Sequence, residues 1–144
     1  MRFAVVLLLM LTGCSEPEPV YQWPLAEGFP QPVVPATNPM SAAKVELGRH
    51  LFYDTALSAN QQQSCASCHQ QQHAFAEPTK VSSGSTGQLH RRNASALVNI
   101  AYNNSLTWAH DGLTHIENQL LMPLFGDSPI ELGAAGHEQQ ILTR

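Results

Sequence analysis

Apolar positions along the 144-residue chain fall into three zones of different rhythm. An unbroken apolar run, Ala4 to Leu11, follows the single basic residue Arg2 and ends in Leu11-Thr12-Gly13-Cys14. It is too short to span a bilayer as a helix and has the length of a signal-peptide core. Small residues before a cysteine are what lipoprotein signal peptidase accepts, so Cys14 is expected to become a lipidated N-terminus. Ordinary cleavage with Cys14 as a stray thiol is the alternative. Ser15, rather than Asp, points to the outer membrane by the sorting rules of enteric bacteria. Residues 16–39 then hold seven of the ten prolines, which remove backbone donors and fix φ, so they are expected to form a semi-rigid tether. The expected organisation is a signal peptide over 1–13, a tether over 14–39 and one domain over 40–144.

In that domain the apolar spacing turns helical. Asn38-Pro39 predicts a helix start, followed by Ala42, Val45, Leu47, Leu51 and Phe52. Asp54 to Asn60 predicts a turn, and Ser64 a cap for a short helix around Cys65. Residues 77–92 mix Pro, Gly and Ser without period and predict a long loop. Thr114-His115-Ile116-Glu117 matches a capping box ahead of Ile116, Leu120 and Leu124, with Pro123 ending or kinking that helix. His137 to Arg144 reads as a further helix, cut short. No stretch alternates convincingly with a period of two. The expected fold class is all-α with long loops.

Composition narrows the function. Charged residues are 12% of the chain and the net charge is −4, which excludes a disordered acidic chain and a basic nucleic-acid binder. Three cysteines are too few for a disulfide scaffold. Two of them lie in Cys65-Ala66-Ser67-Cys68-His69, the c-type haem attachment pattern. On a helix, residues three and four apart share a face, so both thiols can add to the vinyl groups along one porphyrin edge. His69 then lies beneath the ring as iron ligand. Such attachment happens outside the cytoplasm, where the signal peptide would send the chain, so a lipid-anchored periplasmic protein is expected. A redox disulfide or half of a zinc site are the competing readings of the pair, but no second ligand pair or βαβ context accompanies it.

The ligand on the other face of the iron decides between peroxide chemistry at an open site and electron carriage at a closed one. Met122 is the candidate sixth ligand for a monohaem electron-transfer cytochrome, against plain core packing. His50, His90, His110, His115 and His137 are further candidates, whereas His73 lies too close to His69 to reach round the ring.

Several motifs in order then resemble the di-haem cytochrome c peroxidase and MauG-like family. They are Leu47-Gly48-Arg49-His50-Leu51-Phe52-Tyr53-Asp54, Leu57-Ser58, the haem motif, Ala74-Phe75, Arg91-Arg92-Asn93-Ala94, Leu97-Val98-Asn99, Ala101-Tyr102-Asn103, Trp108, Glu117-Asn118-Gln119 and Pro129-Ile130-Glu131-Leu132-Gly133. The likeness runs over residues 45–138. It implies the N-terminal half of a two-domain enzyme, with a peroxidatic haem here and a second, electron-transferring haem in a C-terminal domain.

By the same likeness Glu131 is the distal acid–base group, Gln119 its neighbour, Trp108 the residue between the haems, and Asn93 part of an interdomain calcium site. On the residues alone, Glu131 reads equally as a solvated acid before a helix, and Trp108 as core. The implied partners are hydrogen peroxide and a small cytochrome or copper-protein electron donor. Trp108-Ala109-His110-Asp111-Gly112-Leu113 replaces the family's usual Asp-Gly-Arg continuation. That variant is similar to the MbnH-type branch, whose members are paired with a copper-binding partner protein and oxidise its tryptophan. Only one Cys-x-x-Cys-His occurs, so the chain is expected to be a fragment, a truncated product or half of a split pair.

Overall fold

The computed structural model describes residues 19–107 and 112–143. The signal peptide, Cys14, Trp108 and His110 lie outside the described residues. Four α-helices follow one another: α1 (Ala42–Tyr53), α2 (Cys65–Cys68), α3 (Ile116–Phe125) and α4 (Glu138–Leu142). Three 3-10 turns, Thr55–Leu57, Gln71–His73 and Ile100–Tyr102, punctuate the connections. No strand forms among the described residues, only isolated bridges at Gln70–Ala76 and Ser83–Leu89. The architecture is all-α.

Both predicted helix starts shift by a physical cause. Helix α1 begins later than Asn38-Pro39: Ser41 is its N-cap, and the Ser41 Oγ accepts the Lys44 N–H at 3.2 Å. Asn38 is otherwise engaged, accepting from Lys44 Nζ and donating to Glu117 Oε1, both at 2.8 Å. That second bond also undoes the capping box at Thr114. The N-cap of α3 is His115, one residue out of register, and the Glu117 carboxylate serves Asn38 instead. Pro123 stays inside α3, which runs on to Phe125.

The end of α3 organises the returning segment. A helix leaves its last carbonyls without intrahelical donors. Here Gly126 N–H takes Met122 O at 2.8 Å, while the returning chain supplies Leu132 N–H to Pro123 O (2.9 Å) and Ala134 N–H to Leu124 O (2.8 Å). Leu132 and Ala134, 7% and 1% exposed, are the buried apolar residues among those described. The remaining buried side chains are polar: Ser58, Ser64, Ser82 and Ser85. Large apolar side chains on α1 (Val45, Leu47, Leu51) and α3 (Ile116, Leu120, Leu121, Met122, Phe125) stay exposed. Helices α1 and α2 pack together, and in the proline-rich lead-in Phe29 and Pro30 meet Tyr102 by an edge-on ring contact and a 2.8 Å hydrogen bond.

A hairpin of residues 82–90 clamps the returning segment from the other side. Gly84 N–H reaches Gln88 O at 2.9 Å, and the Gln88 Oε1 accepts Ile130 N–H at 3.1 Å. Ser85 donates its N–H to Glu131 O (2.7 Å) and its hydroxyl to Leu132 O (2.9 Å). The approach is so close that a Cβ on Gly84 would lie 1.8 Å from Ile130 O. Gly84→Ala should therefore cost roughly 1–3 kcal/mol or more, as overpacking against an unyielding backbone does. At Gly48, in mid-α1, a Cβ would meet nothing within 4 Å. Gly48→Ala should raise stability by up to about 1 kcal/mol. Denaturant unfolding of the two variants checks both signs.

Candidate haem centre

The centre grows from one helical turn. Ser64 stands at the N-cap of α2, its N–H bonded to Ser67 Oγ and its carbonyl to Ser67 N–H, both at 3.0 Å. This fixes the turn that carries Cys65 and Cys68 on one face, both thiols free and partly buried. His69 follows as the C-cap, its N–H on Cys65 O at 2.9 Å.

Next, the chain doubles back tightly. Gln70 N–H bonds Ala76 O, Phe75 N–H bonds Gln70 O (each 2.9 Å), and Ala74 and Phe75 both take left-handed backbone with φ of 55° and 58°. Such φ costs a non-glycine residue on the order of 1 kcal/mol. The turn directs the Phe75 carbonyl onto His69 Nδ1 at 2.9 Å, where Ser95 O also approaches to 3.1 Å. Carbonyls only accept, so Nδ1 carries a proton, and in the neutral ring Nε2 keeps its lone pair. Among the described residues no hydrogen bond engages Nε2. A ligating histidine is normally held in this way, its second nitrogen donating to a carbonyl. Two thiols on one face and an imidazole with a free Nε2 fit a covalently held haem and its iron.

The returning segment brings Glu131 to this neighbourhood. Its carboxyl is partly buried and its charge acts on both cysteines and on His69. Burial pushes the Glu131 carboxyl above its ordinary value, against the opposing pull of His90 and then His69. Glu77 also joins, accepting from Ser82 Oγ and from Ala94 N–H (3.3 Å), and adds to the negative field at Cys68.

Other sequence candidates fall elsewhere. Gln119 is half-buried in α3, its N–H on His115 O at 3.1 Å. Met122 lies within α3 with its side chain 52% exposed, not in a loop. His50 turns to Glu46 at 3.0 Å on α1, and His73, His115 and His137 are exposed. Asn93 lines a notch of about 490 Å³ with Lys80, Arg91 and Arg92. Sequence reading missed Ser95, Glu77 and the Ser85–Gln88 clamp. All act through main-chain bonds or short polar contacts that leave no period in the sequence.

Comparison with known proteins points to a family that carries covalently bound c-type haem. Residues 42–144 match the family model described as di-haem cytochrome c peroxidase. Cytochrome-c peroxidase IdrP1 of Denitromonas iodatirespirans is 35% identical over 141 residues, 98% of this chain and 36% of that protein. Methylamine utilization protein MauG of Methylophilus methylotrophus is 29% identical over 105 residues, 70% of this chain and 31% of that protein. A crystal structure of a MauG-like protein associated with microbial copper homeostasis superposes with a TM-score of 0.79 at 45% identity, covering 85% of this chain and 35% of its own. The chain thus spans about a third of the length of these relatives.

Burial holds the Cys65 thiol above its ordinary value and pushes Cys68 up to about 11. In the haem-free chain both should alkylate far more slowly near pH 8 than in the unfolded chain. From pH 9 to 11 the unfolded chain has shed the Cys68 proton while the folded chain retains it, so stability should fall as pH rises through that window. Iodoacetamide rates and urea midpoints across this range provide the check. Equal alkylation rates in the folded and unfolded chains would contradict it.

Proposed function

Since the chain belongs to the di-haem cytochrome c peroxidase family, we propose that it is the peroxide-reacting domain of a periplasmic haem oxidoreductase. Residues 1–13 direct export, Cys14 carries the lipid at the outer membrane, residues 14–39 form the tether and residues 40–144 the catalytic domain. The observation that carries this reading is the His69 ring, fixed through Nδ1 with Nε2 free.

Bound haem supplies the oxidising chemistry, and the protein supplies holding, protons and exclusion of side reactions. Cys65 and Cys68 would hold the haem covalently, and His69 would supply a nitrogen ligand to its iron. Glu131 takes a proton from one peroxide oxygen and returns it to the other, which one carboxylate within hydrogen-bond reach can do. Its partial burial suits the task, because a raised carboxyl both accepts and returns a proton more readily near neutral pH. Gln119 orients peroxide or water with its amide.

Trp108 would pass electrons from a second haem, which the family likeness implies and which would draw on a small cytochrome or copper protein. The copper association of the MauG-like solved structure supports a copper-binding partner protein, whose residue would then be the species oxidised.

In the full-length haem-loaded protein, Glu131→Gln should slow the peroxide-induced change of the Soret band on the order of a hundredfold or more, the usual scale of general acid–base catalysis. Haem content and the ferric spectrum should hardly change. Gln119→Ala should lose less. With Glu131 intact, the rate should fall as the carboxylate is protonated, and because burial raises that carboxyl the fall should begin at higher pH than for an ordinary glutamate. An unchanged rate in Glu131→Gln would remove Glu131 from the reaction.

A further inference from the structure

His90 stands at the end of the same hairpin that fastens Glu131. Its N–H bonds Ser82 O at 2.9 Å, the Ser83–Leu89 bridge ties the two arms, and Ser85 at the tip holds Glu131 O at 2.7 Å. Gly84, with no room for a Cβ against Ile130 O, keeps the hairpin pressed on this segment. One clamped unit therefore fixes His90 relative to the Glu131 backbone.

The His90 ring has an unmet requirement. Its Nε2 is buried without a hydrogen-bond partner. A buried polar atom left so costs about 1–3 kcal/mol, and such atoms are ordinarily met by a water or a ligand. The His90 ring lies near enough to act electrostatically on the Glu131 carboxyl, yet no direct hydrogen bond joins them. A gap beyond hydrogen-bond length between two polar groups is what a bridging water fills. Among the other described histidines, His69 and His50 are turned to partners of their own, and His73, His115 and His137 are exposed.

We infer that His90 is a positioning residue for Glu131, its Nε2 holding the Glu131 carboxyl through one bridging water in the orientation that exchanges a proton at the haem. This rests on the acid–base reading of Glu131 given above. Water both donates and accepts, so the bridge forms whichever ring nitrogen carries the proton. Glu131 would otherwise be free to rotate, since its hydrogen bonds to the described residues are made by its main chain.

Two amide replacements isolate the nitrogen concerned: Gln places an amide near the position of Nε2, whereas Asn reaches only as far as Nδ1. In the full-length haem-loaded protein, hydrogen cyanide is the probe. It binds ferric iron as the anion and gives its proton to the distal base, so its affinity reads that base without turnover. His90→Asn should lower cyanide affinity and the peroxide rate roughly tenfold, about the effect of one lost hydrogen bond. His90→Gln should recover most of both.

In a Glu131→Gln background, which by itself should lose more, His90→Asn should change neither quantity further. Additive losses in the double variant would overturn the inference, as would wild-type behaviour of His90→Asn beside a large effect of Glu131→Gln. A low-spin ferric protein turning high-spin in both His90 variants would put His90 on the iron and overturn it too. An unaffected Glu131→Gln would instead show that the reading of Glu131 itself had failed, and the inference with it.

Discussion

The geometry of the centre depends on a single proton, the one His69 Nδ1 gives to the carbonyls of Phe75 and Ser95. Without those acceptors the imidazole could turn, or carry its proton on Nε2 and offer iron nothing. Two consecutive left-handed residues, Ala74 and Phe75, are required to aim the nearer carbonyl. Backbone strain of this kind persists where its surroundings enforce it, here the Gln70–Ala76 bridge and the hydrogen bonds of the same turn. The cost falls on the loop, and its return is a ligand whose tautomer is fixed before any metal arrives.

The segment that carries Glu131 is placed by a different device. Helix α3 ends with carbonyls in need of donors, and the chain answers them with Leu132 and Ala134. Glu131 is thereby placed by the requirements of a helix terminus. The serine-rich hairpin completes the grip through Ser85 and Gln88. Little apolar surface is buried among the described residues, and the Val45, Leu51, Leu120 and Phe125 side chains remain exposed. Hydrogen bonds between loops, rather than a packed apolar interior, define this part of the fold, and a covalently attached porphyrin would add a large apolar body to it.

Legibility in the sequence tracks the range of the physics. The haem motif is local, so its spacing reveals cysteines and histidine together, and the all-α class follows from spacing and from the lack of alternation. Helix starts are less legible. Asn38 has the look of a cap, but a residue 79 positions away, Glu117, competes for its amide, and the same contact dissolves the capping box at Thr114. The left-handed turn at Ala74 and Phe75 carries no glycine to announce it. Glu131 enters the site only through family likeness, because its position is set by carbonyls at the end of a distant helix. In the sequence His90 is one of five histidines with equal claims; among the described residues its Nε2 is the buried one without a partner.

The most direct test of the account is the intact mass of the mature chain expressed with the cytochrome c maturation machinery, alongside haem staining after denaturing electrophoresis. The account predicts the mass of one haem added through Cys65 and Cys68, with iron that loses its proximal nitrogen ligand in His69→Ala. A chain carrying no haem mass under those conditions, or haem retained unchanged when both cysteines are replaced, would contradict it.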